Sequence, residues 1–552
     1  GVSTTKVGNV TVYGSLTTAA VNNSTVGDVT VSAAEGKVTL NKGGEGVNDV
    51  VNSGAAVSIT ASDEEESGTS TDYAGNITVD GNVIGATTAT LESTNGSVSL
   101  TGNLTANNGL AKIAASDSSD DGVEGVGDIT VNGNVKAATT ATISTDQGDI
   151  TVGTAAVPQG AAAAPVTITS GSGLTVEATK SGDINVTGKL VTADDATVEG
   201  ITTGDVNVKT AAGDIVLNYG TGSDKDVVNS SKAALVQTGA GDIDVTGNVI
   251  GATTATLDVK EGHVNLTGNL TAKGGLAKIQ GYDAAEANDD TNDGNITVVG
   301  DVMSATDGVT ITTTNGDITV GTAEATPGAV KAAKALEIST AGTGDVTVNG
   351  NLKTTGADYG TVTVTATEGK VTLNKYGNVA GTTATVADYV IDSAKSVSVQ
   401  AIDAKTDVGG TDDGNITVNG DVKAITTAKV STDNGDITVG ATGAAVTLEA
   451  GSDLTVEATE SGNIDVTGEL LTTTGGKGNI SVTTEQGAVS LTKGGTNPVV
   501  SSDGSVTITA ADTVYDEDTD GNVTIKGDVT GKTSVAITTN YGDITVGTGT
   551  PD

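Results

Sequence analysis

The stretch from Gly127 to Gly153, GDITVNGNVKAATTATISTDQGDITVG, closes on the phrase with which it opens. GDITV starts at Gly127 and again at Gly148, 21 residues on. Related pairs start at Gly414 and Gly435, and at Gly521 and Gly542, with the same separation. The pair at Gly294 and Gly316 is 22 apart, its extra residue falling in the copy that holds Asp307-Gly308. A period of this size points to a stacked repeat before any other fold.

Inside one period the apolar residues alternate with polar ones. Ile129 and Val131 alternate with Asp128, Thr130 and Asn132, and then come Val135 and Ala137, then Ala141 and Ile143. Turn-forming residues separate the three groups. Ile296, Val298, Val302, Val309 and Ile311 fill the same slots in a second copy. Ile416, Val418, Val422, Ala424, Ala428 and Val430 fill a third, and Val523, Ile525, Val529, Val535 and Ile537 a fourth. Three such strands are too short for a flat sandwich. They predict an all-β, right-handed parallel β-helix (a β-solenoid) of about 21 residues per coil, three short strands per coil, with each strand pairing one coil away. On that period residues 1–552 form one continuous solenoid of about 22–26 coils, on the order of 105–125 Å long.

A longer order sits above the coil. LTVEATKSGDINVTGKLVT from Leu174 returns as LTVEATESGNIDVTGELLT from Leu454. EGKVTLNK occurs at Glu35 and at Glu368. Superrepeats therefore run over approximately 8–181, 182–343, 344–461 and 462–552. They differ by whole coils, which a solenoid tolerates because each coil touches only its neighbours.

Composition narrows the function. The chain has no Cys, Trp, Phe or Arg, one His and one Met, so Val, Ile, Leu, Ala and Thr must fill a thin core. Its 26 basic against 69 acidic residues give a formal charge of −43, which repels nucleic acid and anionic membranes. No apolar run is long enough for a membrane-spanning helix, so membrane insertion is not expected. The chain opens at Gly1 without Met or an apolar leader, which predicts a signal peptide removed or lying outside this sequence.

Repeated G(D/N)ITV…GNV coils, with Thr, Asn and Gly outside, resemble the filamentous haemagglutinin-type adhesins and autotransporter passengers of bacteria. The likeness is one of repeat style and covers nearly the whole chain. It implies a secreted protein at the cell surface: a fibre subunit, stalk or adhesin shaft. Its partners would be further copies of itself, stacked head to tail or continued covalently, and a cell-surface or matrix receptor.

Chemistry-bearing residues are sparse. A polysaccharide-cleaving site needs a base, paired carboxylates and commonly stacking aromatics. His263 stands where a sister coil has Ser97, so it reads as a solvated turn residue, and Asp194-Asp195 reads as solubility. No catalytic residue and no required cofactor is expected. Acidic loops recur before the G(N/D)ITV strand: from Ser62, Ser116, Tyr282, Asp403 and Tyr515. Asp516, Asp518 and Asp520, followed by Gly521, carry the first half of a Ca2+ loop, oxygen ligands at alternate residues and a glycine for the turn. Gly527 stands where the second half needs a bidentate Glu. Asp117 and Asp121 are a weaker match. A hydrated charged loop is the plainer reading, and Ca2+ bridging the alternative. Sequons such as Asn9-Val-Thr and Asn76-Ile-Thr follow from composition. An ice-binding Thr face is disfavoured, because the outward slots drift among Thr, Asn, Lys, Ser and Ala.

Overall fold

The computed structural model describes residues 1–18, 27–44, 48–63, 75–117, 127–153, 165–192, 204–220, 224–283, 294–322, 328–375, 389–402, 414–440, 445–473, 478–495, 497–512 and 521–547. These residues hold strands and turns, with no helix. They fall into two compact units, 1–273 and 274–552. Each is a parallel β-helix.

In the first unit ten long strands, from Val2–Val7 to Ala255–Val259, form the first face. A second-face and a third-face strand follow each one. Strand Ala89–Thr94 leads to Val98–Thr101 and then Leu104–Ala106, and each pairs in parallel with its counterpart on the next coil. The second unit repeats the plan with ten long strands, from Ala277–Gly281 to Ser534–Thr539. Three strands per coil is the expected number.

The coil is longer than its period suggests. Ala234 pairs with Ala255, 21 residues on, whereas Val362 pairs with Val397, 35 residues on. The coils number ten in each unit among the described residues, fewer than a uniform 21-residue period predicts. The reason is that 21 is the minimal circuit, and extra residues enter at the corners without disturbing the strands.

Side-chain direction follows the alternation. Ile129, Val131, Val135, Ala141 and Ile143 are all essentially inaccessible, and Ile129 stacks on Ile150, then Ile184, then Ile215. β-Branched residues suit such a ladder because their stiff side chains repeat one rotamer on a pleated surface. At three of the superrepeat joins the second and third strands fuse: Ile184–Val191, Val346–Thr354 and Ile464–Thr472. The fused strands carry Gly188, Gly350 and Gly468, where an added Cβ would stand 1.9, 1.8 and 1.9 Å from a carbonyl oxygen of the coil before. Only glycine lets the backbones approach so closely there.

Candidate functional site

In each unit the acidic loops enter at the equivalent corner, between a first-face strand and the second-face strand that follows it. Segments 64–74, 118–126, 284–293, 403–413 and 513–520 lie outside the described residues, but the strands on either side of each are equivalent. Asp121, Asp516, Asp518 and Asp520 fall in these segments. Asp117 is described. It sits at the foot of its loop, 2% exposed, and its N–H donates to Asp146 Oδ1 at 2.7 Å. Among the described residues no three carboxylate or imidazole groups converge to hold a metal ion.

Each loop opens after a small inward residue: Ala61, Ala115, Gly281, Ala401 or Ala510. On the next coil the register partner of that residue is a hydroxyl: Ser93, Thr145, Thr313, Thr432 or Thr539. Each loop returns on a buried glycine: Gly75, Gly127, Gly294, Gly414 or Gly521. Ser93, Thr145, Thr432 and Thr539 donate to the carbonyls of Gly75, Gly127, Gly414 and Gly521 at 2.7, 2.8, 2.6 and 2.6 Å. Thr313 donates instead to Asn315 O at 2.8 Å. A loop base is thus clamped by the following coil, and the small residue leaves room for the chain to exit. A buried carbonyl left unpaired would cost about 1–3 kcal/mol, which explains why a hydroxyl stands among apolar slots.

The Asp or Asn of the G(D/N)ITV phrase has a second task at this corner. Its Oδ1 accepts the backbone N–H of the same slot one coil on. Asp149 donates to Asp128 at 2.8 Å, Asp183 to Asp149 at 2.9 Å, Asp214 to Asp183 at 2.8 Å and Asp242 to Asp214 at 2.8 Å. Asn295, Asn415 and Asn522 accept in the same way from Asp317, Asp436 and Asp543. The other two corners carry matching ladders, such as Asn82 to Asn103 to Asn134, and Asp453 to Asn479 to Ser505. Burial pushes the Asp128 carboxyl above the usual range, the Asp149 N–H pulls it back, and the Asp149 carboxylate adds to the rise.

His263 is a rung of this ladder, its N–H donating to Asp242 Oδ1 at 2.8 Å. The ring is half-buried rather than solvated, and its Nδ1 has no hydrogen-bond partner. One shallow hollow among the described residues is lined by Ala445, Thr447, Gly468 and Glu469, with Asn497 holding Glu469 at 3.1 Å.

Sequence reasoning found the loop positions and missed both the clamp and the ladder. The signal for the clamp was present: a small residue in the third inward slot, followed one coil later by Ser or Thr. Comparison with known proteins finds no matching family model, no matching curated protein and no matching solved structure.

Proposed function

We propose that the chain is a structural protein: an extracellular β-solenoid that serves as a fibre subunit, stalk or adhesin shaft. Further coils would continue it, either covalently or from a second copy stacked head to tail. The observation that carries this reading is the coil-on-coil parallel pairing, which repeats over ten coils in each unit among the described residues. Ile129 stacks on Ile150, then Ile184, then Ile215 in register, so each coil offers the following one the same apolar slots and the same strand edge. An open strand edge with apolar slots is a template for another strand. A non-closing contact between identical coils generates filaments. The repeat style shared with haemagglutinin-type surface proteins supports the extracellular setting.

Electron microscopy and light scattering over a concentration series test this. Filaments, or end-to-end particles that lengthen with concentration, are expected. A monodisperse monomer at high concentration refutes self-stacking and leaves covalent continuation.

A second reading has its own observation, the recurrence of acidic segments between a first-face strand and the second-face strand that follows it, in each of the two units. It makes the loops the contact for a surface receptor, or for Ca2+ bridging neighbouring molecules. Millimolar Ca2+, with Mg2+ as control, is then expected to raise light scattering and the melting temperature. No response to Ca2+ removes the calcium reading.

A further inference from the structure

The outward slots of the third face carry an ordered run of charge in the second unit. Lys353, Asp392, Lys423 and Glu449 occupy one slot on four successive coils, held in register by Leu352, Ile391, Val422 and Leu448 beside them. They therefore stand in one column at the strand spacing of about 4.8 Å. Lys353 pairs with Asp392 at 2.6 Å and Lys423 with Glu449 at 3.2 Å. All four are part-exposed, and surface pairs of this kind contribute little to stability.

The column reads plus, minus, plus, minus, and that order is its own complement when reversed. A second copy can be laid against it antiparallel, about a two-fold axis between the coils of Asp392 and Lys423. Lys353 then faces Glu449 and Asp392 faces Lys423, each pair occurring twice as a two-fold contact requires. The neighbouring outward slot holds Asn351, Tyr389, Asp421 and Thr447 on the same coils. The same operation opposes Tyr389 to Asp421 and Asn351 to Thr447, so no like charges face each other. The charged column's equivalent in the first unit runs Ile84, Thr105, Lys136, Thr169, without any alternation.

Large apolar side chains lie open at the corner beside this column. Tyr359 is 67% and Ile425 54% exposed. Thr354 and Ser393 both donate to the Gly360 carbonyl, at 2.6 and 2.8 Å, and so fix the turn that carries Tyr359. Lys395 on the next coil lies 6.0 Å from the Tyr359 ring centre. In the antiparallel pairing Ile425 of one copy meets the coil of Lys395 in the other, one coil from Tyr359. A tyrosine on a fixed turn suits a protein contact, because it adds area and loses little freedom on binding.

We propose that this third-face column is a lateral contact between two antiparallel copies of the chain. The formal charge of −43 opposes any approach of two copies. In physiological salt that repulsion dies away over about 8 Å, so the charge of the surfaces in contact decides the outcome. Over the column it balances. Four coils make a small contact, so weak, reversible pairing is expected. The contact does not depend on the end-to-end continuation proposed above.

Sedimentation of the full chain over a concentration series in physiological salt, with electron microscopy of the same samples, tests it. Particles of doubled width are expected, whereas end-to-end growth doubles length. Lys423→Glu sets like charges against each other at two places in the pair and should weaken pairing about tenfold or more. Adding Asp392→Lys makes the column read plus, plus, minus, minus, again its own complement when reversed, and should recover pairing. Ile425→Ser, an exposed change that keeps every charge, should also weaken it. Melting temperatures check that the variants stay folded. A wild type that forms no particles of doubled width overturns the proposal. So does a folded double variant that pairs no better than Lys423→Glu alone.

Discussion

The Thr432 hydroxyl, 1% exposed, reaches back one coil and donates to the Gly414 carbonyl at 2.6 Å. A side chain in a core slot thus fixes the base of an acidic loop whose own sequence begins on the preceding coil. Replacing Thr432 by Val keeps the shape and removes the donor. The loss should be about 1–3 kcal/mol, read from urea unfolding, with Thr432→Ser recovering most of it. An unchanged midpoint for Thr432→Val would show that the Gly414 carbonyl finds water instead.

Gly414 itself should resist change more strongly. Its φ is 88°, and an added Cβ would stand 2.0 Å from the Asn434 carbonyl oxygen. Gly414→Ala therefore combines a left-handed backbone with a backbone clash and should cost on the order of 2–3 kcal/mol. Gly495 has nothing within 4 Å of the same position, so Gly495→Ala should be close to neutral. Thermal melting of the two variants side by side measures the contrast.

Ile129 and Thr130 are adjacent and face opposite ways, the first fully buried and the second part-exposed. Ile129→Asp buries a charge without a partner and should cost several kcal/mol, on the order of what an uncompensated buried polar group costs. Thr130→Asp should change stability by roughly 0.5 kcal/mol or less, as exposed substitutions do. Denaturant midpoints for both variants decide it, and equal effects would contradict the burial pattern.

Asp128→Asn keeps the Oδ1 acceptor for the Asp149 N–H and removes a carboxyl whose pKa folding raises. The sign follows from linkage: the charged form is the disfavoured one in the folded chain. The variant should be more stable than wild type at pH 7, and the difference should vanish below about pH 4. Melting temperatures across that range read it directly. A variant less stable at pH 7 would mean the carboxylate is favoured by groups in the adjoining loop.

Much of the fold was legible because a strand reports its faces locally. The alternation around Ile129, Val131 and Val135 needs no knowledge of the neighbouring coil, and every one of those residues is buried. Coil length was not legible. The interval from Gly127 to Gly148 is a bare circuit, while Val362 to Val397 includes a corner insertion that leaves both strands in register. A period taken from the most regular copies therefore undercounts residues per coil.

Sequence by itself determined the strand periodicity, the inward apolar slots, the surplus of negative charge and the recurrence of acidic loops before one strand. Each of these is carried by residues close together in the chain. Tertiary structure alone decided what the polar residues of the motif do. Asp128 and Asn415 look like turn formers, and Thr145 and Thr432 look like polar residues without a partner in an inward slot, until the neighbouring coil is laid against them. Their partners lie 18 to 21 residues away. A hydrogen bond between coils depends on register and close approach, and neither is written in the spacing of one coil.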